Sequence, residues 1–199
     1  MQNRDSLTNF RLNIIVIITE FMNFKLLKLN LKISWLKFTG KLDIIKNSSN
    51  FSSTTIESPR ILIILPIDKN LLSKSMKCIS RIMDTYKNKN ANFTVIVNNN
   101  IEDKLNFYNI KKLAFSISKN SKVTNSKKII EQIYFDKFDM IIDLNINFSF
   151  DISMIINELR SKYKVGFVSD YSDYFYNIQL RTDKHNPSYN SLEYLLGKI

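Results

Sequence analysis

The chain has 199 residues, 44% hydrophobic and 24% charged, with a formal net charge of +11. That length buries one core of about 70% of the unfolded surface plus an appendage, not two full domains, and the composition excludes disorder throughout. With one cysteine, one histidine and three glycines, no internal disulfide, zincin pair, Cys/His metal cluster, serine triad, P-loop or GxGxxG fingerprint can be assembled.

The positive charge comes from lysines scattered through a chain crowded with Ile, Asn and Lys. These residues have A/T-rich codons, so a biased genome accounts for the charge without a ligand. No stripe of arginines with interleaved aromatics accompanies them, which argues against nucleic-acid recognition and leaves a weak, salt-sensitive attraction to polyanions. Cys78 reads as a small buried hydrophobe on a helix, and a lone thiol suits a reducing, cytoplasmic setting. No cofactor is expected.

Residues 1 to 46 read as an apolar and basic appendage. The run Leu12 to Ile18 is interrupted by Glu20 and Asn23, well short of the roughly 20 residues of a membrane span. It lacks the small-residue cleavage site of a signal peptide. Met22 offers a second start. Phe24 to Phe38, FKLLKLNLKISWLKF, fits a strand period and a helical one; the helical reading puts Phe24, Leu27, Leu31, Trp35 and Phe38 on one stripe. Lys25, Lys28, Lys32 and Lys37 border that stripe. Together with Trp35 they are the candidate contacts to an anionic membrane surface, and the other reading is a helix packed on its own domain. Residues 47 to 60 form a linker, Ser/Thr-rich from Asn47 to Pro59.

Residues 61 to 199 show regular alternation. Ile61 to Leu65 (ILIIL) reads as a strand covered on both faces, and a helix with Leu72, Ser75, Ile79, Ile82 and Tyr86 on one side follows Pro66. Phe93 to Val97 and Lys112 to Ile117 are the next two strands. A helix near Ser126 to Tyr134 leads to the fourth, Phe138 to Leu144. Ile152, Ile155, Ile156 and Leu159 repeat as on a helix; Lys164 to Val168 (KVGFV) is the fifth strand, Tyr174 to Leu180 (YFYNIQL) a further short one, and Ser188 to Lys198 a closing helix. Such alternation predicts an α/β fold, a single Rossmann-like, open and mainly parallel sheet flanked by helices.

In such sheets ligands sit beyond the carboxyl ends of the strands, so Asp143, Asn145 and Asn147 are the first polar groups to consider. The alternative is that they satisfy loop and helix-start amides. Gly166 reads as a site of close packing. Tyr174, Phe175 and Tyr176 read as core, or as a platform for a sugar ring.

ILIIL, FDMIIDLN, KVGF, YFYNIQL and SYNSLEYLLGKI follow one another as in the amino-terminal half of the heptosyltransferase-like glycosyltransferases, family 9. Over residues 61 to 199 the chain resembles that half, and each motif alone is weak. The resemblance implies a two-domain GT-B architecture for the family, with an acceptor-side domain facing a donor-side one. It implies for this chain a role in cell-envelope glycan synthesis such as lipopolysaccharide assembly, at the inner membrane face. It also implies a sugar or lipid-linked acceptor and a separate donor-binding domain or protein, without which sugar is not transferred.

The chain departs from the family pattern after its first strand. Where the family carries Gly-Asp, the carboxylate serving as general base, this chain reads LPIDKNLL, with Asn70 and Leu71 in those places. Asp68 is the nearest carboxylate and the catalytic candidate; the other role open to it is capping the next helix. Lys69, Asn70, Asp143, Asn145 and Asn147 are the acceptor-binding candidates. Two competing functions remain: a non-catalytic, membrane-peripheral Rossmann-like binding module, and a small-nucleotide regulator, disfavoured by the absent phosphate-cradling glycines.

Overall fold

A computed structural model describes residues 24–45, 57–100, 110–118, 122–183 and 186–196. The run Leu12 to Ile18, Met22, most of the Ser/Thr-rich linker and His185 lie outside the described residues. The chain forms two compact units, Met1–Asp43 and Ile44–Ile199.

In the first unit, residues 24–38 form a helix, α1, so the helical period prevails over the strand period that the same residues satisfy. Its end is set by Gly40, whose φ of +67° suits glycine. The Gly40 amide donates to the Lys37 carbonyl at 3.0 Å and the Lys41 amide to the Leu36 carbonyl at 2.9 Å, the paired bonds of a Schellman cap. Ile33 and Leu36 are buried, while Phe24, Leu27, Leu31, Trp35 and Phe38 are exposed.

The second unit is one six-stranded sheet in the order β3-β2-β1-β4-β5-β6. Its strands are β1 (Arg60–Ile64), β2 (Asn92–Asn98), β3 (Lys111–Phe115), β4 (Phe138–Asp143), β5 (Ser161–Phe167) and β6 (Ile178–Leu180). Every neighbouring pair is parallel. The helices are α2 (Lys69–Tyr86), α3 (Ser126–Ile133), α4 (Phe150–Glu158) and α5 (Asn190–Leu196).

β1 is central because it can be buried on both faces; Ile61, Leu62, Ile63 and Ile64 are all fully buried. Ile61, Ile63 and Leu65 join Cys78, Ile79 and Ile82 of α2, Leu192 and Leu196 of α5, and Val95, Val97, Ile142 and Val165 in one core. Alternation along the strands turns Leu62, Ile64, Ile96 and Ile141 to the opposite face. The chain runs outward from β1 to β3, then returns to β4 and runs outward the other way. Right-handed crossovers therefore put α2 on one face and α3 and α4 on the other.

Cys78 is buried and its thiol is pushed up to about 12 by desolvation, the state of an inert core residue. Most boundaries shift by one or two residues from the sequence reading, β3 for instance ending at Phe115 and not Ile117, and two shift further. β5 begins at Ser161, three residues before the apolar run, because it pairs with β4 from Phe138 onward; register with a neighbour, not its own hydrophobicity, sets its start. YFYNIQL is not strand throughout: Ser172–Tyr174 is a 3₁₀ turn and only Ile178–Leu180 pairs.

Candidate functional site

The strand order reverses between β1 and β4, which makes the carboxyl ends of these two strands the topological switch point where open α/β sheets bind ligands. Residues 65–70 leave the end of β1 and residues 144–147 the end of β4. Asn145 ties the two together: its Oδ1 accepts from the Ile67 amide at 2.8 Å, and its Nδ2 donates to the Leu65 carbonyl at 3.3 Å and to Asp143 Oδ1 at 2.7 Å.

Asp143, the last residue of β4, is 2% exposed. Its Oδ1 also accepts from the Asn145 amide at 2.9 Å, and its Oδ2 accepts from the Tyr176 hydroxyl at 2.6 Å. Desolvation raises the Asp143 pKa, and the bonds from Tyr176 and Asn145 oppose that rise by favouring the ionised form. Burial, followed by the charge of Asp143, lifts Tyr176 well above the usual phenol range, so Tyr176 keeps its proton and donates. A hydrogen bond of this length to a carboxylate is charge-assisted. The Tyr176 oxygen also lies 3.3 Å from Ser153 Oγ of α4.

Tyr176 reaches Asp143 by lying across β5, which requires Gly166. A Cβ at position 166 would come within 2.5 Å of the Tyr176 ring. The next residue, Asn177, clamps β5: its Oδ1 accepts from the Lys164 amide at 2.7 Å, its amide donates to the Lys164 carbonyl at 3.1 Å, and its Nδ2 donates to the Lys162 carbonyl at 2.8 Å. FDMIIDLN, KVGF and YN thus meet in one buried lock joining β4, β5 and α4. At its edge, the Tyr189 hydroxyl donates to the Leu144 carbonyl at 2.8 Å, fixing the entry to α5. Lys74 of α2 donates to the Pro187 carbonyl at 3.0 Å, and Arg81 of α2 pairs with Glu193 of α5.

The candidates from the sequence therefore separate into two layers. Asp143 and Asn145 form a buried layer held by internal bonds, and Asn145 fixes the loop that follows β1. Asp68 is half-buried and caps α2: its Oδ1 accepts from the Asn70 amide at 2.9 Å. Lys69, Asn70 and Asn147 are exposed and supply the accessible polar rim. Phe175 and Tyr176 are core rather than a sugar platform. Tyr176, Ser153 and Tyr189 are the partners that sequence reasoning missed. The signal for Tyr176 was Gly166, a gap on one strand that an aromatic ring from the next segment fills.

Among the described residues no group of three or more His, Cys, Asp or Glu side chains is placed to hold a metal ion. At the other end of the sheet, Arg60, Asn92, Thr94, Lys111 and Asp136 line an open hollow of about 400 Å³. Its walls are the amino ends of the strands, and the Lys111–Asp136 ion pair at 3.0 Å occupies its polar side.

No protein-family model matches the chain, and no curated protein matches it. Among solved structures it is similar to the crystal structure of a glycosyl transferase family 9 protein from Veillonella parvula, with a TM-score of 0.54 and 9% sequence identity. The likeness covers 73% of this chain and 42% of that one, so the chain spans less than half the length of the structure it matches. At that identity the likeness carries the fold alone: the described α/β unit is a Rossmann-like sheet, similar in fold to that protein.

Proposed function

We propose that the chain serves as the acceptor-side domain of a family 9-like glycosyltransferase, of the kind that transfers heptose to lipopolysaccharide in cell-envelope glycan synthesis on the cytoplasmic side of the membrane. The observation that supports this most is the order β3-β2-β1-β4-β5-β6 with its switch point between β1 and β4, in a fold like that of a family 9 protein. A sugar or lipid-linked acceptor would meet Lys69, Asn70 and Asn147 at the rim. Glycosyl transfer also needs the donor held in line, because positioning supplies on the order of 7–11 kcal/mol of the barrier reduction. A separate donor-binding domain or protein is therefore the expected partner, and the chain alone is expected to bind acceptor without transferring sugar.

Asp68 is the carboxylate available to act as general base. Asp68→Asn separates the two roles open to it, since Asn caps a helix about as well as Asp but cannot take a proton. With the partner co-purified from the native host, transfer should fall at least a hundredfold in Asp68→Asn with an unchanged melting temperature. Unimpaired transfer would leave Asp68 as a cap alone. No affinity for any glycan or lipid-linked acceptor, and no co-purifying partner, would overturn the reading.

A further inference from the structure

Successive residues of an α-helix turn by about 100°, which places Phe24, Leu27, Leu31, Trp35 and Phe38 of α1 within about 80° of one another. They are exposed by 64%, 55%, 64%, 56% and 90%, whereas Ile33 and Leu36, on the other side of the same helix, are 4% and 6% exposed. The helix thus has two apolar faces, and only one is covered. The open one presents on the order of 600 Å² of apolar side chain, at the top of the range for the largest patch of a monomeric protein.

Charge indicates what covers this face. Between residues 24 and 42 the chain carries Lys25, Lys28, Lys32, Lys37 and Lys41 and no Asp or Glu. Lys28 follows directly on the flank of the stripe, with Lys32 and Lys25 beyond it, and Lys37 lies on the opposite flank; all four are exposed. The Lys41 ammonium stands 5.4 Å from the Trp35 ring centroid, a cation on an aromatic face at the end of the helix. A second copy of α1 laid on the stripe would bring two sets of lysines together. An anionic bilayer surface takes the aromatics at headgroup depth while the lysine stems extend to the phosphates. At about 1.5 Å per residue, residues 24–38 reach roughly 22 Å, less than the ~30 Å hydrocarbon core, and no helix among the described residues is long and apolar enough to cross a membrane.

We propose that α1 lies in the plane of an anionic bilayer surface, with Phe24, Leu27, Leu31, Trp35 and Phe38 inserted and Lys25, Lys28, Lys32 and Lys37 at the phosphates. This docking is independent of acceptor binding by the sheet and holds whether or not the sheet serves in glycosyl transfer.

The chain has one tryptophan, so Trp35 reports directly. The full chain should float with vesicles of equal parts phosphatidylcholine and phosphatidylglycerol, with a blue shift of Trp35 emission and shielding from a water-soluble quencher. Lys28→Gln with Lys32→Gln should weaken that binding about fivefold per lysine and flatten its salt dependence. Leu31→Ser with Phe38→Ser should weaken it more than tenfold, with an unchanged circular dichroism spectrum. Absence of both flotation and blue shift in the wild-type chain would overturn the proposal. So would a salt-stable dimer in sedimentation that shields Trp35 without vesicles, which would assign the face to a second copy.

Discussion

The buried lock at the end of β4 and the outer face of α1 invert the usual relation between polarity and burial. Asp143, Asn145, Ser153 and the Tyr176 hydroxyl are polar and buried, whereas Phe24, Leu27, Leu31, Trp35 and Phe38 are apolar and exposed. In the lock every buried group named here has a hydrogen-bond partner, which makes its burial tolerable and its removal costly. On α1 the apolar stripe stays exposed among the described residues. A polar group inside is therefore a statement about the fold, and an apolar group outside is a statement about what the protein meets.

The sharpest way to break that contrast is to empty the lock. Asp143→Ala strips the acceptor from Tyr176 and from both Asn145 donors and should cost about 3 kcal/mol in urea unfolding. Asp143→Asn should cost under about 1 kcal/mol, because its amide oxygen can take the Asn145 bonds while its NH₂ donates to Tyr176, whose proton then turns to Ser153. Equal losses in the two variants would mean that the charge itself, and not the bonding pattern, holds the lock.

Gly166→Ala should cost about 2 kcal/mol through the clash with the Tyr176 ring. Tyr176→Leu should absorb most of that clash, so a double-mutant cycle in thermal unfolding should show a coupling of about 1 kcal/mol or more. Additive losses would separate Gly166 from the lock.

A smaller effect follows from the raised pKa of Asp143. Its unfolded value is about 3.9. Below that pH both states are protonated and the favourable contribution is full. As pH rises from there through the folded pKa, the unfolded state releases its proton first and the contribution is lost. The stability of Asp143→Asn relative to the wild-type chain should therefore increase as urea melts move upward from about pH 4, and a flat difference would contradict a buried, desolvated carboxylate.

The smallest stability effect is expected on the open face of α1. Leu31→Ala should change stability by no more than about 0.5 kcal/mol, followed by Trp35 emission. Ile33→Ala, two residues on and buried, should cost about 2–4 kcal/mol. Similar losses would show that the stripe is covered within the molecule.

The strands were legible in the sequence because parallel sheets bury both faces of their central strands, leaving runs such as Ile61 to Leu65 and Phe138 to Leu144. The helix periods of α2 and α4 followed equally directly. The candidate site was legible in position but not in role. Asp143 and Asn145 stand at the carboxyl end of β4 as expected, yet a linear pattern cannot say which polar group at a strand end faces solvent and which faces a tyrosine 33 residues later. Asp68 carried both roles in the sequence, and the cap is the one its geometry displays.

By itself, the sequence determined the elements of the sheet, the sheet class and the apolar stripe of α1 that holds Trp35, because hydrophobic periodicity is a local property of the chain. Tertiary structure alone decided three things: that the side of α1 with Ile33 is covered while the one with Trp35 is exposed, that Gly166 makes room for Tyr176, and that Asp143 is buried against Tyr176 and not exposed at the strand end. Each depends on which distant segment arrives opposite a given side chain, and strand order and crossover hand, not local pattern, set that arrival.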